Sequence, residues 1–591
     1  MRWREIYHIL ADLFNTADCL EKVNAIWETD RWNSFDKNAL TAEFCAETLK
    51  RAGLSQVEVL PLKADARTEY FYRTIRRAWD VRYATLCYDD GSCIANYSQM
   101  PCCLVTSCPS TPECGVEAEV VIPDRNDQAP QKYSGKVLLV RESVASWIDF
   151  AKEHGSVGIL TDVMPLFAGI RDTREELNDE VVWMGISSVS DHGIIGFHLT
   201  PRQGKVMREK LEHETVRIVA KISTRSYDGT LNTVSAALEG TDPKLPEIFV
   251  YGHLYEPGAN DNAAGVAAVL QLAETLSNAI KNGIINRPRR TIRFAMGYEY
   301  GGSMGYLAAH SDRPLLCSII ADMIGTEAGD RAVMGLRYDP VSNWSYADGA
   351  LHAIWKIAED FCGRTIPSAS SHYSTDTDNI LADPTLNCPT VALCAAPALS
   401  YHTSMDRPDR IEPDTLTRNA LIVGTYIWGM ADADENTSSF LAEAIRDLAA
   451  FKIINSTHFR QVRLWEDAAK NAIHSLSRID KEADYPNPEF YTEDPPAYAA
   501  FAKTRIPRRT KPGTLTFAGT DIVKSFTGRW FGSPHIPVLW TDGKRNLWQI
   551  AYLSAVEQGK CSDDELQRMV EFLTEYFNQL EKYGYIHWVN E

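Results

Sequence analysis

Long apolar runs, Cys-x-x-Cys pairs and an excess of positive charge are all missing from this sequence. No apolar stretch approaches the roughly 18–20 residues that cross a bilayer, so we expect no membrane span. The 591 residues include 60 Lys and Arg against 79 Asp and Glu, and this net charge of −19 disfavours binding to nucleic acids or anionic membranes. The first residues lack the cleavage site of a signal peptide, and the 13 cysteines are an odd number. We therefore expect reduced thiols in a cytoplasmic protein.

The composition is that of a globular protein with several domains. Hydrophobic residues make up 45% and charged residues 24% of the chain, enough for a substantial core. The pattern predicts four segments: N-terminal helices and the start of the main domain in residues 1–114, a β-rich insert in 115–230, an α/β core in 231–432, and a C-terminal region in 433–591. In the insert, strands at 136–140 and 157–160 flank a helix at 145–154, which predicts a βαβ unit.

Residues 231–432 alternate between short apolar runs and helical stretches. The runs at 248–251, 291–295, 318–321 and 390–393 are β-branched or aromatic, as expected of buried parallel strands. A helix is predicted at 263–280, between the first two runs. We therefore predict an α/β fold with a doubly wound, mostly parallel sheet, whose functional site lies at the carboxyl ends of the strands.

Five polar residues follow these predicted strands and are candidates for a metal centre. They are His253, Asp261, Glu299, Asp322 and His402. Each could have an ordinary structural role; Asp261, for example, could cap the helix that follows it. Because strand ends converge on one crevice, we expect the five side chains to meet there. Imidazoles together with carboxylates suit zinc, which keeps a position open for water.

Four stretches of this region carry a more specific pattern: EIFVYGHLYEPGANDNAAGVAAVLQLAE, RRTIRFAMGYEYGGSMGY, SIIADMIG and SYHTSMDRPDRI. They resemble the co-catalytic zinc aminopeptidases, a family that also includes aminopeptidase Y, glutamate carboxypeptidase and, more distantly, glutaminyl cyclase. The predicted insert resembles the protease-associated domain, a lid found in several zinc exopeptidases. The end of the chain resembles a small winged-helix unit, and the whole combination resembles a bacterial branch of these peptidases.

The resemblance implies a role for each candidate. His253 and Asp322 would complete one metal site, with Asp261 as a bridging carboxylate. His402 would belong to a second metal, also in contact with Asp261. The family has an adjacent Glu-Glu pair, in which the first member is the general base and the second a ligand of the second metal. In this chain the pair is Glu299 followed by Tyr300.

Two departures from the family pattern concern the metal ligands. A phenol with a pKa near 10 is mostly neutral at pH 7 and is a poor ligand unless the metal ionises it. We therefore expect one firm zinc and a second that is weak, absent or bound by a tyrosinate; alternatively, Tyr300 donates a hydrogen bond to the developing oxyanion. The family's His-x-Asp is replaced by His253-Leu-Tyr255, so Glu256 is expected to orient His253.

These residues together predict a zinc-dependent hydrolase of peptide or amide bonds. An aminopeptidase, in which Glu299 takes a proton from the attacking water, fits them best. An aminopeptidase must hold a free α-ammonium, for which Asp376 and Asp378 are candidates, although both could also belong to an ordinary Asx-turn. Tyr255 is expected beside the substrate. The expected partner is a peptide or amide small molecule, and the oligomeric state is left open.

Other functions stay open on the sequence alone. The tyrosine at position 300 also fits a degenerate site in a binding or regulatory protein, and the same ligands fit a glutaminyl-cyclase-like or amidase activity. The pattern Gly-Gly-Ser-Met-Gly around Ser303 matches the G-x-S-x-G of serine hydrolases, but this interpretation leaves the other candidates unexplained. The winged-helix-like end carries more acidic than basic residues, which opposes DNA binding and favours packing on the main domain or a dimer contact.

Overall fold

The computed structural model describes residues 3–127, 129–183, 193–481, 485 and 488–589. The α-helices are α1 (Trp3–Leu13), α2 (Thr16–Asp30), α3 (Phe35–Arg51), α4 (Ile148–Glu153), α5 (Pro201–Leu211), α6 (Ala263–Lys281), α7 (Gly301–Ala309), α8 (Tyr346–Cys362), α9 (Pro413–Ala431), α10 (Glu435–Ile454), α11 (Phe459–Ser475), α12 (Ile522–Phe526), α13 (His535–Leu539), α14 (Leu547–Glu557) and α15 (Asp563–Lys582). The strands are β1 (Ser55–Ala64), β2 (Glu69–Tyr70), β3 (Arg73–Thr74), β4 (Ala78–Tyr88), β5 (Cys93–Asn96), β6 (Val116–Val121), β7 (Val137–Val140), β8 (Gly158–Thr161), β9 (Ile195–His198), β10 (Arg217–Tyr227), β11 (Gly229–Leu238), β12 (Glu247–Leu254), β13 (Ile292–Tyr298), β14 (Leu315–Asp322), β15 (Met334–Tyr338), β16 (Ser368–His372), β17 (Thr390–Cys394), β18 (Pro507–Arg509) and β19 (Ile586–Trp588).

An eight-stranded sheet forms the centre of the molecule. Its order is β1-β11-β13-β12-β14-β17-β15-β16, and the neighbours from β13 to β17 run parallel. Along β12, Ile248 and Val250 belong to one hydrophobic core, whereas Phe249 and Tyr251 belong to another. Both faces of the sheet are therefore buried, which explains why the predicted strands are continuous apolar runs rather than alternating ones.

Helices cover both faces of this sheet. α6 and α9 pack against β12 and β14, and α7 packs on the other side against β13. The side chain of Asn262 caps α6 by accepting a hydrogen bond from the N–H of Gly265. By length and composition alone α6 could cross a membrane, but 83% of its apolar window is buried inside the protein. That burial is typical of a core helix.

A second, seven-stranded sheet has the order β5-β4-β10-β6-β7-β8-β9. The βαβ unit predicted within it is present as β7, α4 and β8. Two of its strands, β4 and β5, come before residue 115, in the segment that we assigned to the start of the main domain. β4 pairs antiparallel with β10 along its whole length, from Ala78 opposite Tyr227 to Tyr88 opposite Ile218. Partners so far apart in the chain leave no local signal, so the sequence pattern did not reveal them.

The C-terminal region is mainly helical. α10 and α11 pack against α8 of the main domain, and α14 packs against α15. β19 follows α15 and pairs antiparallel with β18. The order of two helices and a strand agrees with the pattern at the end of the chain, and its winged-helix identity stays a prediction. The predicted fold class is confirmed: a mixed, mostly parallel α/β sheet, a β-rich insert and a helical C-terminal region.

Candidate metal centre

The carboxyl ends of the central strands open into one cleft of about 520 Å³. All five predicted candidates lie at these strand ends. His253 is in β12, Asp261 is in the loop before α6, Glu299 directly follows β13, Asp322 is the last residue of β14, and His402 is in the loop after β17. The parallel order of these strands brings together side chains that are up to 149 positions apart in the sequence, which is the arrangement that we predicted.

Asp261 lies between two imidazoles. Its Oδ1 is 3.2 Å from Nε2 of His253, and its Oδ2 is 3.2 Å from Nε2 of His402. The same His253 nitrogen is 3.4 Å from Oδ1 of Asp322. One carboxylate therefore faces two histidines, and one histidine faces two carboxylates, as the bridging role of Asp261 requires.

The loop that carries Asp261 is fixed by buried hydrogen bonds. Asp406 accepts hydrogen bonds from the backbone N–H groups of Asn260 and Asp261, at 2.7 and 3.0 Å. The side chain of Asn262 donates to the carbonyl of Ala321, next to Asp322 at the end of β14. Asn262, not Asp261, is the helix cap, so the carboxylate of Asp261 is free to face the two imidazoles.

The charges of these groups shift one another's pKa values. Burial by itself would lower the pKa of His253, but hydrogen bonds with Asp261 and Asp322 outweigh it and hold the pKa well above its usual range. The pKa of His402 is raised in the same way, because Asp261 outweighs the effect of burial. Burial would raise the pKa of Asp261, but the two imidazoles lower it. Asp261 is therefore a carboxylate at neutral pH.

Glu299 lies where a general base is expected. It is half-buried, and one of its oxygens forms a group with ligand atoms of His253 and Asp322 that all lie within 4.8 Å of one another. Burial, followed by the negative charge of Glu256, raises the pKa of Glu299 well above its usual range. A carboxyl group with a raised pKa can both accept and return a proton near neutral pH.

Tyr300 occupies a sharp corner between β13 and α7. Its backbone has a φ of +56°, and its N–H donates to Oδ1 of Asp378 at 3.0 Å. Burial and then the neighbouring Glu299, with which the phenol shares a hydrogen bond, raise the pKa of Tyr300 well above its usual range. The phenol is thus neutral and lies beside Glu299.

Glu256 does not orient His253, which differs from our expectation. Nδ1 of His253 is buried without a hydrogen-bond partner among the residues that the structure describes. Glu256 instead lines the cleft, and its oxygen groups with ligand atoms of His253 and Asp261, all within 4.8 Å of one another. Burial and the charge of Asp261 raise the pKa of Glu256 to about 7. Its carboxyl group therefore belongs to the cluster itself.

The structure places the three predicted substrate-binding residues differently. Asp376 is exposed and lines the cleft, so it can reach a bound molecule. Asp378 is fully buried; it accepts hydrogen bonds from the hydroxyl of Ser303 and the N–H of Tyr300, and burial raises its pKa to about 6. Asp378 therefore supports the Tyr300 corner and does not line the substrate site as predicted.

Tyr255 is also not a substrate-binding residue. It is 2% exposed, and its hydroxyl donates to the carbonyl of Asn232 inside the protein. Its φ of +74° breaks the alternation of side chains after β12 and turns the ring into the core. Its N–H donates to the buried carboxyl group of Asp30 in α2. No local sequence pattern marks Asp30 as a functional residue.

The serine-hydrolase interpretation fails on the position of Ser303. This residue is 0% exposed within α7, and its hydroxyl donates to Asp378 and to the carbonyl of Tyr300. A nucleophilic serine must sit on an exposed turn beside a histidine. Ser303 instead helps to fix the corner at Tyr300.

Residues of the insert form part of the cleft, and the sequence did not point to them. Phe167 lines the cleft, and the ring of Trp183 lies 4.4 Å from the ring of His402. The N–H of Trp183 donates to the carbonyl of His402, and Val182 forms a β-bridge with Thr403. The His402 loop is therefore shared between the two sheets, a contact that no local sequence pattern could reveal.

Arg337 is a second residue that sequence reasoning missed. It lies on β15, lines the cleft, and donates to the sulfur of Cys394 at 3.6 Å. Cys394 in turn donates to Oδ2 of Asp322 at 3.6 Å. The guanidinium thus connects to Asp322 through Cys394, and it is a cation in a cleft of carboxylates.

The donor atoms of the cluster fit a divalent cation. Four carboxyl groups (Glu256, Asp261, Glu299 and Asp322) and two imidazoles meet in one place, all of them buried or half-buried. Burial first, and neighbouring carboxylates second, raise the pKa values of both glutamates. Nitrogen and oxygen donors in this ratio match zinc, whose charge would offset that of the carboxylates.

Comparisons with known proteins agree with this geometry. Residues 233–427, which contain all the predicted ligands, match peptidase family M28. The zinc aminopeptidase BSAP of Bacillus subtilis is similar over 71% of this chain and 96% of its own, with 15% identity and a TM-score of 0.51. An aminopeptidase from Aneurinibacillus sp. strain AM-1 is also similar, over 72% of this chain and 96% of its own, with 18% identity and a TM-score of 0.45. A putative peptidase from Clostridium acetobutylicum is similar over 99% of this chain and 96% of its own, with 14% identity and a TM-score of 0.48. No curated protein matches the chain. The predicted resemblance to the zinc aminopeptidase family is confirmed.

Proposed function

We propose that this chain, a hydrolase of the zinc-peptidase type whose residues 233–427 match peptidase family M28, is an aminopeptidase. The observation that carries the proposal is the contact of one carboxylate, Asp261, with two imidazoles at 3.2 Å each, beside the half-buried Glu299. Structural histidines and carboxylates rarely meet in this pattern inside a cleft.

His253, Asp261 and Asp322 would hold one zinc ion firmly. His402 and Asp261 would offer a second ion two ligands, since the phenol of Tyr300 is engaged with Glu299. A bound zinc ion acts as a Lewis acid and lowers the pKa of its water towards about 7.

Glu299 holds the proton that moves during the reaction. Its carboxylate takes a proton from the attacking water and later returns it to the nitrogen of the leaving amine. The phenol of Tyr300, through its hydrogen bond with Glu299, keeps this carboxylate oriented. The corner below is fixed by Asp378, which accepts the N–H of Tyr300.

The negative charge of the cleft supports recognition of an amino terminus. Asp376 is an exposed carboxylate that lines the cleft. Among the described residues that line the cleft, Arg337 is the one Lys or Arg. A free α-ammonium is the part of a peptide that such a cleft attracts. Phe167 and Tyr401 add apolar surface for the first side chain of the substrate.

Arg337 favours one alternative, the recognition of a substrate carboxylate. A guanidinium that lines the cleft beside Asp322 could pair with the carboxyl terminus of a peptide or with an acidic side chain. A carboxypeptidase or an enzyme for short acidic peptides is therefore the second candidate function.

A substrate panel with and without chelator tests the proposal. Purified full-length protein is assayed with leucyl, alanyl, lysyl and glutamyl p-nitroanilides, with N-acetyl-leucyl p-nitroanilide, and with N-blocked dipeptides. We expect cleavage of the free aminoacyl anilides, loss of this activity with 1,10-phenanthroline, and recovery with added zinc.

The pattern of substrates decides between the candidates. Cleavage of the blocked dipeptides but not of the free anilides would favour the carboxypeptidase. Cleavage of free anilides that persists under chelation would contradict the zinc mechanism.

A further inference from the structure

Glu256 occupies a place in the cluster that the mechanism above does not use. It is three residues after His253, at the end of β12. The positive φ of Tyr255 turns that ring into the core, and the next side chain, Glu256, then lines the cleft. The local backbone therefore presents a carboxylate to the metal cluster.

Two of the proposed metal ligands lie close to Glu256. Its oxygen lies in one group with ligand atoms of His253 and Asp261, all within 4.8 Å of one another. Glu256 thus lies among these residues and not behind them.

The carboxyl group of Glu256 is not paired with another described protein group. Within the described part of the chain it has no hydrogen bond or ion pair. Arg76 attracts it, but the guanidinium of Arg76 donates to Asn33 at 2.6 Å and forms no ion pair with Glu256. A half-buried carboxylate without a partner costs free energy unless a ligand or a cation meets it.

The number of available metal ligands also points to Glu256. A catalytic zinc ion takes three protein ligands. After His253 and Asp322 are assigned to the first ion, His402 and the shared Asp261 leave a second ion with two. Glu256 is the remaining carboxylate of the cluster, and its oxygen lies in one group with ligand atoms of His253 and of Asp261, the carboxylate that the two ions would share.

We propose that Glu256 is a metal ligand of this centre and supplies the carboxylate that Tyr300 does not. The inference rests on the proposed zinc-peptidase function. It means that the chain retains its full set of ligands, with one carboxylate delivered from the end of β12 instead of the start of α7. It also converts the expectation of a weak or absent second zinc into that of a complete centre.

Zinc content tests this directly. Full-length wild type, Glu256→Gln and Glu256→Asp are stripped, loaded with zinc, desalted and analysed by mass spectrometry for metal per chain. Asp376→Asn is the matched control, since it removes a carboxylate from the same cleft away from the imidazoles. We expect Glu256→Gln to bind about one zinc ion fewer than wild type, or to bind the weaker ion at least about tenfold less tightly. Glu256→Asp should fall between the two, and Asp376→Asn should match wild type.

A second measurement guards against misfolding. Metal-free Glu256→Gln should unfold at the same temperature as metal-free wild type or at a higher one, because it removes a half-buried charge that has no hydrogen bond or ion pair among the described residues. In crystals of the zinc-loaded protein, an anomalous peak should lie about 2.0–2.2 Å from an oxygen of Glu256.

Two results would overturn the proposal. One is a Glu256→Gln variant with the zinc content and affinity of wild type and a raised KM for free aminoacyl anilides, which would make Glu256 the group that binds the α-ammonium. The other is a zinc-loaded crystal in which the oxygens of Glu256 are far from any ion. Failure of the proposed function looks different: wild type would bind zinc through Glu256 and yet cleave no peptide or anilide.

Discussion

The two halves of the metal centre are built in different ways. His253 is 1% exposed at its side chain and is set in the central strand of the main sheet, and buried hydrogen bonds fix the backbone of Asp261 and of Ala321, the residue before Asp322. His402 is 24% exposed at its side chain, has a φ of +54° and sits in a loop that pairs with the insert. The first half is fixed by the main sheet and by Asp406, whereas the position of His402 depends on the contact of its loop with the insert. We therefore expect substrate and metal affinity to be adjustable mainly through the His402 half.

Replacing each histidine in turn should show the largest difference between the two halves. His253→Ala takes away the nitrogen that faces both Asp261 and Asp322, so we expect loss of all bound zinc and of detectable activity. His402→Ala should retain about one zinc ion per chain, because His253, Asp261 and Asp322 remain and Asp406 still holds the Asp261 loop. Metal analysis and anilide turnover of both variants check this. Equal zinc loss in both would show that the halves are not separate.

Glu299→Gln should separate chemistry from metal binding. The amide cannot take a proton from water, so we expect kcat to fall by about 10²–10⁴-fold with unchanged zinc content. Steady-state kinetics with leucyl p-nitroanilide and metal analysis measure the two effects. A variant that keeps wild-type kcat would assign the base to another residue and would revive a non-catalytic role for this glutamate.

Asp406→Asn should weaken the fixed half. Asp406 uses both oxygens to accept backbone N–H groups, and an amide can accept only one, so we expect a loss of about 1–3 kcal/mol in the free energy of unfolding. Urea unfolding of the metal-free protein measures it. His402→Ala is the control, since it removes a side chain from the same loop and leaves both hydrogen bonds of Asp406 in place.

The same variant should change the pH dependence of stability. Burial raises the pKa of Asp406 from its usual 3.8 to about 7, so the folded protein binds a proton that the unfolded chain releases. Stability from this group is present at low pH and is lost as pH rises through about 7. Metal-free Asp406→Asn should therefore show a shallower decline between pH 4 and 7, by up to about 1.4 kcal/mol per pH unit. Parallel slopes in both proteins would contradict this assignment.

Trp183→Ala should have the smallest effect and act on the adjustable half alone. The indole packs against His402 without a direct part in the chemistry, so we expect KM to rise several-fold while the firm zinc stays bound. Tyr83→Ala, an exposed aromatic on β4 of the same sheet, is the matched control and should have no effect. Loss of all zinc in Trp183→Ala would show that the insert also supports the first half.

The sequence was informative wherever a residue's role depends on a strand end. His253, Asp261, Glu299, Asp322 and His402 each follow a strong apolar run, and parallel topology alone brings such ends together. Their assembly could therefore be predicted without knowing any contact. The family comparison confirms the zinc-peptidase type, whereas the roles of single residues stay predictions.

What the sequence missed depends on backbone turns and on distant partners. The positive φ at Tyr255 exchanges the directions of Tyr255 and Glu256, so the residue expected at the substrate is buried and the residue expected behind His253 lines the cleft. Asp30 and Trp183 come from elements far away in the chain, and nothing in their local sequence marks them. The predicted domain limits and the cytoplasmic location stay predictions.

The junction between the two sheets has a mechanical consequence. β10 ends at Tyr227 and β11 begins at Gly229, so the insert joins the main sheet through a single intervening residue, Asp228. A connection this short acts as a hinge rather than as a loose tether. Any rocking of the insert would swing Phe167 and Trp183 together over the cleft mouth, so access for a substrate and the seating of His402 would change in one movement.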